Sequence, residues 1–374
     1  MAPPRPVTVA DLGRFQTVID ARSPAEFALD HLPGAINCPV LDDEERRIVG
    51  TLYKQQGAFE ARRVGGAMVA QNLARHLREC FAEQPASWKP LVYCWRGGMR
   101  SGSMVTWLRL VGWDARQLQG GYKAFRHQVI TEIDRIAPTL DLRVICGPTG
   151  SAKTRVLQAL EATGRQVLDL EGCASHKGSV LGGLPGVQQP SQKRFETRLH
   201  EALRRLDPTR PVYIEAESRK IGQLALPTRL LEPLRAAPCI EIEASPEARL
   251  RYLLHDYAYL GDDGEHLAQK VGHLKDMHSR ETIERWQAWA RTGELEPLFD
   301  ELMRSHYDPH YQRSQQTHLT RWAQAQRVVA AELDPAGIAG LAEAIGALPA
   351  PPPAPVSGPA KARAASLLDE AGQG

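Results

Sequence analysis

Long apolar runs are absent from this chain. No stretch approaches the roughly 20 residues that a membrane span requires, and the opening MAPPRPVTVADLG has no apolar core of the kind that directs secretion. A cytoplasmic address with no membrane partner is therefore the expectation. Paired cysteines are missing too. Cys38, Cys80, Cys94, Cys146, Cys173 and Cys239 are scattered, with no two in a C-x-x-C arrangement. That argues against a zinc site or a disulfide framework and for reduced thiols. Nor does one sign of charge dominate: 46 Lys and Arg against 44 Asp and Glu leave a net +2, too little by itself to imply nucleic acid. No internal repeat is visible.

What the chain does hold is 374 residues, 43% hydrophobic and 24% charged, a globular composition with length enough for two cores. Up to about residue 130, short apolar runs alternate with helical patterns. FQTVIDAR and PLVYCW read as buried strands, each followed by a turn and a helix, which predicts a parallel α/β sheet. AFEARRVGGAMVAQNLARHLRECF has helical spacing, with a Gly-Gly interruption where it could split, and GGYKAFRHQVITEIDRIAP closes the unit as a helix. Four further strands, in DLRVICG, RQVLDLEG, RPVYIEAES and PCIEIEAS, interleave with helices and predict a second open parallel sheet. From Pro246 to about Ala331 the pattern is almost wholly helical, and the Pro/Ala-rich segment 349–374 reads as a disordered tail. Between Ser191 and Arg235, ten Lys or Arg face six acids, an excess that suits either an anionic polymer or a solvated helix face.

Within VYCWRGGMRSGS, Cys94 stands at the carboxyl end of a strand, where open α/β folds bind ligands. The glycines of WRGGMR let backbone N–H groups turn inward, and the next helix adds the positive end of its dipole. Arg96 and Arg100 add formal charge. Together these favour a thiolate and a nucleophilic sulfur. Cys38, Cys80, Cys146 and Cys239 read instead as buried structural residues. Cys94 and Arg100 also satisfy the C-x5-R spacing of phosphatases, although Tyr93 stands where those usually have His. VIDARSPAEFALDHLPGAINCPV resembles the opening of a rhodanese domain through Asp20, Arg22, SPAEF and HLPGAIN, and the likeness covers residues 8–130. It implies that Cys94 carries sulfur or selenium, with its loop stabilising a chalcogen anion.

RVICGPTGSAKT places a strand before a glycine-rich turn, with Lys-Thr opening a helix. Gly147 to Thr154 match G-x-x-x-x-G-K-[ST] except that Ala152 replaces the second glycine. Backbone N–H groups of Gly150, Ser151, Ala152 and Lys153 would cradle a diphosphate, Lys153 would neutralise it, and Thr154 would hold any Mg²⁺. A residue opening a helix at ordinary negative φ accepts a methyl, so Ala152 is expected to be a tolerated variation. Glu215 and Glu217 end a strand where an acid would meet metal or a bound hydroxyl; the alternative is a salt bridge to Arg219 or Lys220. His176 and Lys177 are exposed candidates for phosphate or RNA contacts. Arg204 and Arg205 are candidates for contacts to the phosphates of an anionic polymer.

The order of the two units, with YCWRGGMRS, QGGYKAFR, GPTGSAKT, DLEGCASHKGS, QPSQKRFE, IEAESRKIG and HYDPHYQRS, resembles the bacterial tRNA 2-selenouridine synthase family across most of residues 8–315. Ala152 is the departure, the family usually having Gly there. The resemblance implies a rhodanese-like parallel-sheet domain (8–130), then a P-loop NTPase/kinase-like α/β domain with a helical C-terminal part (140–335). It implies replacement of sulfur by selenium in wobble 2-thiouridine of lysine, glutamate and glutamine tRNAs, with selenophosphate as donor. An S-geranyl-2-thiouridine intermediate would come from geranyl diphosphate. Cys94, Arg96 and Arg100 would then handle selenium, the phosphate loop would hold diphosphate, and an enzyme supplying selenophosphate would be a partner. An ATP-regulated rhodanese-type sulfurtransferase or phosphatase, and a non-catalytic RNA-binding adaptor, are the rival expectations.

Overall fold

A computed structural model describes residues 6–179 and 181–351. The expected tail therefore lies, past Pro351, outside the described residues. Short segments of two or three residues make the first sheet. Strands β1 (Val18–Asp20), β2 (Ile36–Asn37), β3 (Leu91–Tyr93) and β4 (Arg116–Gln117) run parallel in the order β2-β1-β3-β4. Helices α1 (Pro24–Leu29), α2 (Asp43–Gln55), α3 (Ala58–Glu79), α4 (Met99–Val111) and α5 (Gly121–Ile136) connect and cover them. Helix α1 starts on a Ser23–Glu26 capping box with Pro24 in its first turn, the local signal for a helix start.

Helix α3 runs unbroken for 22 residues through Gly65 and Gly66, so the Gly-Gly pair does not split it. A Cβ at Gly65 would lie 3.0 Å from a methyl of Val49; the glycine is where α2 packs closely on α3.

The second sheet has five parallel strands, not four. Its order is β11-β10-β5-β7-β6, from β5 (Leu142–Cys146), β6 (Gln166–Leu168), β7 (Val212–Glu215), β10 (Cys239–Ala244) and β11 (Gln326–Ala330). A small hairpin, β8 (Lys220–Ile221) with β9 (Leu224–Ala225), sits apart. Strand β11 corrects the expectation of an all-helical stretch up to Ala331: Val328 and Ala330 pair with β10 and enter the core. The helices are α6 (Lys153–Ala162), α7 (Leu170–Ala174), α8 (Gln192–Leu203), α9 (Thr228–Ala236), α10 (Pro246–Asp256), α11 (Gly264–Gly272), α12 (Arg280–Thr292), α13 (Leu295–Leu302), α14 (Asp308–His318) and α15 (Pro335–Ala347). Helices α10 to α13 enclose their own apolar cluster around fully buried Trp286, and α15 packs on α6.

The largest core crosses from one unit to the other. Phe125, Val129 and Ile133 of α5 share a cluster with Phe195, Leu199 and Leu203 of α8, each burial contributing about 1.5–3 kcal/mol. Beside it, the buried Asp30 carboxylate accepts from Tyr122 (2.7 Å) and Thr197 (3.0 Å), with Arg126 and Arg194 within 4 Å. Burial pushes the Asp30 pKa up against these partners.

Candidate functional site

The first centre is the loop after β3. Cys94 is buried, at 3% exposure. Its Sγ accepts from the Gly98 N–H (3.3 Å) and from the Ser101 hydroxyl (3.1 Å), and Gln117 donates to that hydroxyl from 2.8 Å. Two donors from the loop and the first turn of α4 therefore converge on the sulfur. Helix α5 locks the loop from behind, the Tyr122 N–H donating to the Cys94 carbonyl at 2.9 Å. Gly121, at φ +56, makes this approach feasible, because a Cβ there would overlap the Cys94 carbonyl oxygen.

The two arginines are placed differently from the sequence expectation. Arg100 pairs with Glu26 at 2.6 Å, and Glu26 also meets Arg46 at 2.8 Å. Despite burial, these cations hold the Glu26 pKa below the usual carboxylate range. Arg100 is thus neutralised in place, while Arg96 is exposed. Glu26 carried no sequence signal for this role beyond its helix cap. Trp95 lies at the surface beside the thiol, its ring 5.5 Å from the Lys193 ammonium on α8.

The second centre is the turn between β5 and α6. Gly147 has no room for a side chain, since a Cβ would overlap Ser151 Oγ. Ala152 caps α6 at φ +57 and ψ +26, in the left-handed region. The expectation of an ordinary negative φ is wrong here. Its side chain joins the apolar cluster of Ile145, Val156 and Leu157. The Ser151 N–H is used within the turn, donating to the Pro148 carbonyl at 3.1 Å, which removes it from the expected cradle. Lys153 Nζ donates to the Gly147 carbonyl at 2.7 Å. Burial lowers its pKa although nearby carboxylates oppose this.

Thr154 Oγ1 donates to Glu171 Oε2 at 2.7 Å, and the Glu171 N–H donates to Glu215 Oε1 at 2.8 Å. The second Glu215 oxygen is buried with no partner among the described residues. Burial pushes up the pKa of Glu171, Glu215 and Glu217, Glu217 to about 8 with help from the Glu171 charge. Arg219 and Lys220 form no ion pair with Glu215 or Glu217 among the described residues. Thr154, Glu171 and the unpartnered Glu215 oxygen offer hard oxygen donors of the kind Mg²⁺ takes, though no three carboxylates converge to ligand distance among the described residues.

This turn floors a cavity of about 670 Å³. Its lining mixes polar and charged groups with the apolar and aromatic side chains of Leu184, Val187, Leu253, Tyr257, Tyr307 and Tyr311, Leu253 lying directly against Gly150 of the turn. A separate small pocket of about 20 Å³, which shares Thr149, Leu253, Tyr257 and Tyr307 with this lining, is closed by Leu181, Phe299, Leu302 and Met303. No described residue of the Cys94 loop lines the cavity. Arg249, on α10, donates to the Thr149 carbonyl (3.1 Å) and forks onto Asp308 (2.8 and 2.7 Å), tying the helical part to the turn. Sequence reading assigned neither residue a role, because 59 positions separate them.

Of the RNA candidates, His176 and Lys177 are half-buried in this cavity, not exposed. The Lys177 ammonium is held by Asp256 at 2.6 Å and lies 4.2 Å from the Tyr257 ring. Arg204 and Arg205 are exposed at the end of α8, Arg204 with Glu132 3.8 Å away. Part of the basic stretch serves the junction instead: Arg194 approaches Asp30, and Arg198 donates to Ser175 and the Cys173 carbonyl.

Two family models match this chain. That of the rhodanese-like domain matches residues 9–128, and that of the tRNA 2-selenouridine synthase AAA domain matches residues 140–279. Among proteins named tRNA 2-selenouridine synthase, the Nitrosomonas europaea one is 40% identical over 261 residues, 68% of this chain and 66% of that protein. The Alcanivorax borkumensis protein is 37% identical over 295 residues, 76% of this chain and 80% of that one. The Chromohalobacter salexigens protein is 37% identical over 322 residues, covering 79% and 86%.

Proposed function

Since this chain belongs to the tRNA 2-selenouridine synthase family, we propose that it exchanges sulfur for selenium in wobble 2-thiouridine in two stages. The observation carrying this reading is the cavity in which a phosphate-type turn shares its lining with apolar and aromatic side chains. A prenyl diphosphate needs both kinds of lining, and the family makes it the preferred occupant. In the first stage the thiouridine sulfur attacks C1 of geranyl diphosphate, the C–O bond breaks, diphosphate leaves, and the N3 proton of the base is released. Lys153 and the free N–H groups of the turn meet the charge that develops on the leaving oxygen. Thr154 and Glu171 would hold Mg²⁺, which would supply further charge neutralisation.

In the second stage selenium from selenophosphate replaces the geranylated sulfur. Geranylthiol leaves, and water takes up the phosphoryl group as inorganic phosphate. Alkylation makes sulfur a far better leaving group than a thiocarbonyl. Cys94, its sulfur held by Gly98 and Ser101, adds at C2 and expels geranylthiol, which takes up the thiol proton. Selenium then displaces the Cys94 sulfur from C2, so selenium stays at the selenide level and no oxidant is needed, with exposed Arg96 available to selenophosphate. Lysine, glutamate and glutamine tRNAs are the proposed substrates, and an enzyme supplying selenophosphate is the proposed partner. The wobble base can be splayed from its single-stranded loop onto an aromatic face, and Trp95 is one beside the thiol.

The test is nucleoside analysis of 2-thiouridine tRNA treated with the purified chain. Geranyl diphosphate alone should give S-geranyl-2-thiouridine, and added selenophosphate should convert it to selenouridine. Cys94→Ser should keep the first product and lose the second. Lys153→Ala should slow the first stage by roughly 10²–10³-fold, the effect of removing one preorganised donor. Turnover that needs ATP but not tRNA would overturn the reading in favour of a regulated sulfurtransferase or phosphatase.

A further inference from the structure

Three side chains outside both centres converge in the N-terminal unit. Cys38 leaves the end of β2, while His76 and Cys80 lie one turn apart where α3 ends. One ligand atom from each, two sulfurs and one imidazole nitrogen, all fall within 4.8 Å of one another. Cys80 Sγ is 3.8 Å from His76 Nδ1. The other ring nitrogen, Nε2, lies 2.8 Å from the Pro39 carbonyl oxygen, which can only accept. Nε2 therefore carries the proton, and Nδ1 presents its lone pair towards the sulfurs. A carbonyl holding the far nitrogen is how metal-binding histidines are oriented.

We propose that Cys38, His76 and Cys80 form a binding site for a thiophilic divalent cation of the zinc type. Two thiolates and a neutral imidazole are soft-to-borderline ligands that suit zinc over magnesium or calcium. Two thiol protons leave on binding, so the two negative sulfurs balance the dication and the filled site carries no net charge. That matters because Cys38 and His76 are buried, where an unbalanced ion is costly. Cys80 is exposed, which turns the fourth coordination position towards solvent. Tetrahedral ligand edges of about 3.5–3.8 Å follow from zinc bond lengths, a contraction that side-chain rotation supplies. A disulfide between Cys38 and Cys80 would give the oriented imidazole nothing to do. Cys38 follows β2 as Cys94 follows β3, two strands apart, or roughly 10 Å. The cation therefore takes no ligand from the Cys94 centre.

Titration of the reduced full-length chain with Co²⁺ tests this. A thiolate-to-metal charge-transfer band should grow to one equivalent and vanish on adding Zn²⁺. Cys94→Ser should keep the whole band, whereas Cys80→Ser, a surface change, and His76→Gln should each weaken Co²⁺ binding by roughly tenfold or more. The proposal is overturned if the wild type shows no band, or if Cys80→Ser binds as tightly as wild type. It is equally overturned if Cys94→Ser abolishes the band, or if the chain isolated under alkylating conditions carries a Cys38–Cys80 disulfide.

Discussion

Ala152 shows how much one dihedral changes. At φ +57, a left-handed alanine costs about 1–2 kcal/mol, while its buried methyl returns about 0.8 kcal/mol. Ala152→Gly should therefore stabilise the apo chain by less than about 1 kcal/mol, read as a small rise in the thermal midpoint, with diphosphate binding equal or slightly tighter. A fall in the midpoint would mean that the methyl contact outweighs the backbone. Glu217 gives a pH dependence of known sign. Its folded pKa of about 8 lies above the ordinary value of 4.5, so the folded chain binds the extra proton. Stability is full below the ordinary value and is lost as pH rises through about 8. Glu171 and Glu215 are shifted in the same direction. Denaturation midpoints measured between pH 5 and 9 should fall along this limb, and Glu217→Gln should flatten it.

Helix α8 illustrates what happens at the scale of an element. Its ten-to-six neighbourhood suits either an anionic polymer or a solvated helix face, yet Arg194 and Arg198 are spent on the junction and on α7. The exposed cations of the stretch are Lys193, Arg204, Arg205, Arg210, Arg219, Lys220 and Arg229, with Arg204 and Arg205 adjacent at the helix end. Replacing both by Ala should weaken tRNA binding and flatten the slope of log affinity against log salt by about one unit per lost phosphate contact. Selenouridine formation at saturating tRNA should survive. Equal affinity and slope would move the RNA surface elsewhere. The elements that sequence reading found are those with local signals: the strand, glycine turn and helix at Cys94 and at Lys153. Strand β11 was missed because QRVVA follows a long helical stretch, and only pairing with β10 makes it a strand. The unbroken α3 depends on Val49 filling the space beside Gly65. The meeting of Cys38 with His76 and Cys80 is long-range and leaves no spacing to read.

The whole molecule is held as one body by the core shared between α5 and α8. Its unfolding should be a single transition, seen at the same midpoint by calorimetry and by hydrogen exchange in both sheets. Phe195→Ala, at a fully buried position, should cost about 3–5 kcal/mol and lower protection in β1 and β3 as well as in β5 and β7. Two separated transitions would contradict this. Sequence reading gave two units with a boundary between them, since the apolar faces of α5 and α8 are legible but their partners are not. The shared core also decides which party travels. Thiol loop and phosphate turn are carried on one frame joined by that core, and the cavity at Lys153 is walled without the Cys94 loop. On the proposed chemistry the tRNA is the commuter: a base alkylated at one stationary post must be withdrawn and delivered to the second. The geranylated nucleoside thus has a free lifetime in transit, and a chase of unlabelled geranylated tRNA should intercept the handover.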